Sequence, residues 1–113
     1  MTLEKCYTPG TYRGSSRVAA QGTVNAGHYA VIECPDRLGC VSIMCHIVAS
    51  PANYSICASN SPSASGDGDA AVWYKAEGKT NLTEDNTDTY TACCMAYRIS
   101  VESGTVDFEM VGQ

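Results

Sequence analysis

At 113 residues the chain is long enough for one domain and too short for a second core, since domains commonly hold about 100 to 150 residues. Twelve Asp and Glu against seven scattered Lys and Arg give a formal net charge of -5, which excludes a surface built to neutralise a run of phosphates. No stretch approaches the roughly 20 apolar residues of a membrane-spanning helix, so neither nucleic acid nor a membrane is expected as a partner.

Taken in chain order, residues 1 to 16 combine Pro9, Gly10, Gly14, Ser15 and Ser16 with few aliphatics and read as an irregular N-terminal arm. A single β-sandwich domain is expected over residues 17–113. Met1 to Cys6 lack the apolar centre of a signal peptide, which sets the expectation of a chain made and retained in a cytosol, a mature secreted chain with a new Met being the alternative. Strand signals then fall at Arg17 to Asn25, His28 to Cys34, Cys40 to Val48, Tyr54 to Ala58, Ala71 to Ala76, Thr87 to Cys94, Met95 to Glu102 and Thr105 to Val111. Between them, Asn25-Ala26-Gly27, Pro35 to Gly39, Ser50-Pro51-Ala52-Asn53 and Glu77-Gly78-Lys79 supply turn chemistry. Ser59 to Asp69 is small and polar and is expected to be an exposed, mobile loop. Lys79 to Asp88 adds an acidic rim.

The strongest pattern lies in the last twenty residues. Met95, Tyr97, Ile99 and Val101 alternate with polar or small residues, and Val106, Phe108 and Met110 alternate with Thr105, Asp107 and Glu109. Period two sends one set of side chains to each face of a sheet, and Ser103-Gly104 between the runs predicts a tight β-hairpin. Short strands with turns every eight to twelve residues, and no helical stripe, predict an all-β fold: an antiparallel, jelly-roll-like sandwich of about seven or eight short strands, with an immunoglobulin-like sandwich second.

Chemistry-bearing patterns are sparse. Asp67 and Asp69, or Glu84, Asp85 and Asp88, offer carboxylates to calcium without the spacing of an EF-hand, and a solvated acidic loop is the simpler expectation. Cys34, Cys40, Cys45 and His46 lie close in sequence, yet they lack the paired knuckles of zinc sites, and Cys45 and His46 would face opposite sides of a strand. His28 and His46 accompany no nucleophile signature, so neither catalytic residues, a cofactor nor a metal is expected. Cys6, Cys34, Cys40, Cys45, Cys57, Cys93 and Cys94 make seven cysteines, an odd number, expected as reduced structural thiols with a disulfide framework as the competitor. The sequons Asn53-Tyr54-Ser55 and Asn81-Leu82-Thr83 matter only in a eukaryotic secretory route. Trp73 and Tyr74, on opposite faces of one strand, offer an outward aromatic for a partner or a glycan.

The segment Thr8-Pro9-Gly10-Thr11-Tyr12, the Ser/Gly/Asp loop and the run Tyr97 to Val106 together give a chain that resembles the small all-β accessory proteins of tailed bacteriophage virions, the capsid cement or decoration proteins and fibre knobs. The resemblance implies a non-enzymatic structural protein, located in the virion, that sits as a homotrimer on the major capsid protein; residues 1 to 16 and the polar loops are the expected contact regions, with Tyr7, Pro9, Tyr12, Arg13, Trp73 and Tyr74 as candidate partner contacts. The alternative is a receptor- or carbohydrate-binding module, as a phage fibre tip or a secreted lectin-like sandwich.

Overall fold

A computed structural model describes residues 2–11, 17–34, 40–61, 72–75, 79–90 and 94–112. The described residues are all-β, in the order β1 (Thr2–Tyr7), β2 (Gly10–Thr11), β3 (Val18–Asn25), β4 (His28–Glu33), β5 (Val41–Ser59), β6 (Tyr74–Lys75), β7 (Asn86–Tyr90) and β8 (Ala96–Gly112), with no helix among them. The expected loop from Ser59 to Asp69 falls largely outside the described residues, as do Pro35 to Gly39 and Glu77-Gly78.

Two long strands organise everything else. β5 and β8 run antiparallel along nearly their whole length, and each has different neighbours at its two ends. The N-terminal part of β8 pairs with β4, and its C-terminal part with β3. β5 likewise carries β7 on its first half and β6 on its second. The result is one mixed sheet with two limbs, the first built on β1, β4, β8, β5 and β6, the second on β2, β3, β8, β5 and β7.

The sequence-predicted hairpin is corrected by this pairing. Ser103-Gly104 does not reverse the chain; it is the corner at which β8 passes from one limb to the other, and Ser50 to Asn53 is the facing corner of β5. At that corner β5 takes seven steps, Ile47 to Tyr54, to cover what β8 covers in five, Val101 to Val106, and the ladder register shifts there. Bends and bulges of this kind let one strand serve two sheet layers. Gly104 has φ +77, and a Cβ on it would run into the Ala49 and Pro51 carbonyl oxygens and the Ala52 Cβ. Only glycine fits, because both the backbone conformation and the close approach of β5 forbid a side chain.

Alternation explains the core. The inner residues of β8 are Tyr97, Ile99 and Val101 before the corner and Val106, Phe108 and Met110 after it; those of β5 are Val41, Ile43 and Cys45, then Tyr54 and Ile56. With Val24, Ala30 and Ile32 they form one buried cluster, so the inner faces of both limbs share a single core. Each fully buried aliphatic or Phe in it contributes about 1.5 to 3 kcal/mol of transfer free energy.

The expected N-terminal arm is also corrected. β1 pairs with β4 in parallel, and β2 pairs with β3 antiparallel, so Thr2–Tyr7 and Gly10–Thr11 belong to the sheet. The parallel pair departs from the all-antiparallel arrangement expected. Tyr7 explains why this segment docks: its ring packs edge-on against Phe108 at 5.0 Å and 89° and covers Gly22, closing one end of the core. The sparse aliphatics of the segment hid this anchor.

Candidate functional site

The outer faces of the limbs differ in what covers them. On the second limb, side chains pointing away from the core form cross-strand rows. Gln21, Glu109, Met44 and Thr87 make one row, and Thr23, Asp107 and His46 the next. Strand alternation puts them there: each is flanked by an inward core residue such as Val24, Phe108, Met110, Ile43 or Cys45. Met44 and Val111 stay 49% and 44% exposed, so apolar surface is left open among the charges. Two hollows lie along this face. One of about 370 Å³ is lined by Met44, His46, Asp85, Thr87, Asp107 and Glu109, and one of about 700 Å³ runs over Gly10, Arg17, Ala19, Gln21 and Val111. Glu109 borders both.

Asp85 is held where β7 begins. Its Oδ1 accepts the Ile47 N–H at 2.8 Å and its Oδ2 lies 2.7 Å from His46 Nδ1. An ionised carboxylate only accepts, so Nδ1 carries the hydrogen. The Ile47 amide and His46 together hold the Asp85 carboxyl below its ordinary range, and the Asp85 carboxylate pulls His46 upward. Asp107 accepts the Thr23 hydroxyl at 2.6 Å. Lys79 is engaged by Asp88 at 2.8 Å.

This site can bind cations more readily than it can do covalent chemistry. Cys45, beside His46 in sequence, is buried on the other face, and desolvation pushes its thiol up to about 12, so it is not poised as a nucleophile. Among the described residues no three His, Cys, Asp or Glu side chains gather to hold a metal ion. Cys34, Cys40, Cys45 and His46 are therefore not a described metal group. Glu84 meets Tyr54 through its backbone carbonyl, at 2.6 Å, and Asp88 is tied to Lys79. Asp67 and Asp69 lie outside the described residues. His28 sits on the first limb, with Nδ1 3.0 Å from the Ala26 carbonyl and 3.7 Å from Glu4.

On the first limb the outer face is covered. Arg98 lies on β8 between Val31 and Cys57, and its guanidinium is 5.0 Å from the Trp73 ring and 5.4 Å from the Tyr29 ring. Tyr29, Val31 and Ala96 are buried beneath, with Cys6 and Trp73 packed against them. Trp73, expected as a partner contact, is thus placed as a lid on its own sheet, while Tyr74 stands 65% exposed. Tyr7 fills the core end, Pro9 is buried, and Tyr12 and Arg13 lie outside the described residues. The open acidic face was not singled out from the sequence, although Asp107 and Glu109 alternating with Val106, Phe108 and Met110 carried its signal.

No protein-family model and no curated protein matches the chain. Among solved structures, it is similar to the crystal structure of Aeromonas hydrophila PliG, a periplasmic lysozyme inhibitor of g-type lysozyme, at 14% sequence identity and a TM-score of 0.48, over 99% of this chain and 96% of that one. The capsid-decoration function and virion location expected from the sequence are corrected here: the arm meant to clamp a capsid is built into the sheet as β1 and β2.

Proposed function

We propose that the chain is a non-catalytic binding module whose open second-limb face takes a basic segment of a partner protein. In this reading the two limbs act as the layers of a β-sandwich, the inner faces supplying stability and one outer face supplying recognition. The observation that carries it is the pair Asp107 and Glu109, two residues apart on β8 and so about 7 Å apart along one face, beside the exposed Met44. Carboxylates at that spacing match lysine or arginine side chains on an extended partner, and a net charge of -5 steers such a partner inward. Met44 and Val111 supply the apolar contact that gives such an interface its core. Asp85 extends the acidic row toward β7.

The test is isothermal titration of the full chain with a deca-lysine peptide and with a panel of basic proteins, at low and at physiological salt. Binding that weakens with salt and drops at least tenfold in the double variant D107K/E109K supports the reading. Affinity that the double variant leaves unchanged, or none for any basic probe at low salt, overturns it.

A further inference from the structure

Where β4 ends and β8 begins, two thiols meet. Cys34 Sγ and Cys94 Sγ are 3.7 Å apart, although 60 residues separate them in sequence. Their backbones are fixed by the ladder. The Cys34 N–H donates to the Met95 carbonyl at 3.0 Å, the Met95 N–H donates to the Ser59 carbonyl at 2.8 Å, and the next pair along is Glu33 with Ala96. Both side chains are half-buried and pack against the core cluster. A disulfide needs the sulfurs at about 2.0 Å, a closure that side-chain rotation can supply when the strand ends are already in register.

We propose that Cys34 and Cys94 are a dithiol pair that closes to a disulfide under oxidation and staples the end of β4 to the start of β8. Contact with the Cys34 thiol holds Cys94 below the ordinary thiol range, which makes Cys94 the attacking sulfur. With a low-molecular-weight disulfide such as oxidised glutathione, the Cys94 thiolate attacks one sulfur, breaks the oxidant's S–S bond and releases one thiol. Cys34 then gives up its proton and attacks the Cys94 sulfur of the mixed disulfide, releasing the second thiol. Two protein thiols lose two electrons and two protons, and one small disulfide becomes two small thiols. The remaining described cysteines are placed differently. Cys45 and Cys57 are buried, Cys40 is partly buried just before β5, and Cys6 lies 3.7 Å from a Glu33 carboxylate oxygen, where burial and that charge raise its pKa.

The proposal is independent of the basic-partner reading. The test uses the full chain equilibrated with oxidised glutathione, alkylated, digested without reduction and fragmented between Cys93 and Cys94. A Cys34–Cys94 linked peptide is expected, kept in C93A and lost in C94A, with a melting temperature about 10 °C or more above the reduced form and restored by dithiothreitol. Seven thiols surviving excess oxidant, or a link from Cys34 to Cys93 or Cys40 instead, overturns it. The mapping on the unmutated chain decides the matter even if C94A does not fold.

Discussion

On the first limb Arg98 lies between Tyr29 and Trp73; at the matching place on the second limb Asp107 and Glu109 stand open beside Met44. Both faces are built on the same two strands, β5 and β8, and share one core behind them. The difference is the cover. Trp73 lies over the first face, with Cys6 of the edge strand β1 packed beside it, so its residues could become apolar, as Tyr29, Val31 and Ala96 are. The second face carries polar and charged side chains around two exposed apolar ones. A charged residue can therefore sit in opposite settings in one sheet: under an aromatic lid it packs, and on an open face it stays in solvent.

Both limbs depend on the corner they share. Gly104→Ala puts a side chain at φ +77 and drives a Cβ into the β5 corner, so a loss of about 3 kcal/mol or more is expected by chemical denaturation. A smaller effect belongs to the lid. Trp73→Ala uncovers Arg98, Tyr29 and Val31 and should cost about 2 kcal/mol, less than for a fully buried tryptophan because Trp73 is only partly buried. Thermal melts with circular dichroism measure it. On the open face, Asp107→Lys with Glu109→Lys removes the acceptor of the Thr23 hydroxyl and should cost about 1 kcal/mol, less than the lid, while removing affinity for basic peptides. If the lid and the open face responded alike, the division of labour between them would fail.

The all-β class was legible because alternation in β8 and β5 is nearly free of interruption. The corner was not, and the reason is geometric. Moving the inner set from Tyr97, Ile99 and Val101 to Val106, Phe108 and Met110 shifts the phase by one residue, and a two-residue hairpin produces the same shift as a corner. Only the partner strand distinguishes them, and β5 showed the same ambiguity at Ser50 to Asn53. The first strand was missed because a parallel edge strand held by Tyr7 needs little apolar content of its own. Of the candidate site, Asp107 and Glu109 could be assigned to a polar face, but His46 and Asp85 come together across 39 residues, which no spacing announces. The same holds for Cys34 and Cys94.

The smallest effect concerns pH at the edge of the open face. Asp85 raises the pKa of His46 from the 6.5 of a free imidazole by accepting its Nδ1–H. What protonated His46 adds to stability is therefore fully present below that ordinary value and lost as pH rises through the raised one. Asp85 moves the other way, lowered from 3.8 by the Ile47 N–H and then by His46, so its contribution is present above 3.8 and lost as pH falls through the lowered value. The pair is complete between the two. NMR titration of the His46 ring should show its pKa falling in Asp85→Asn, with the melting temperature almost unchanged because both side chains are exposed. Binding of a basic peptide should respond as well. Protonation places a positive charge beside Asp107 and Glu109, so affinity should weaken as pH falls through the His46 pKa, and Asp85→Asn should move that weakening to lower pH. An affinity independent of pH across this range would separate His46 from the proposed recognition face.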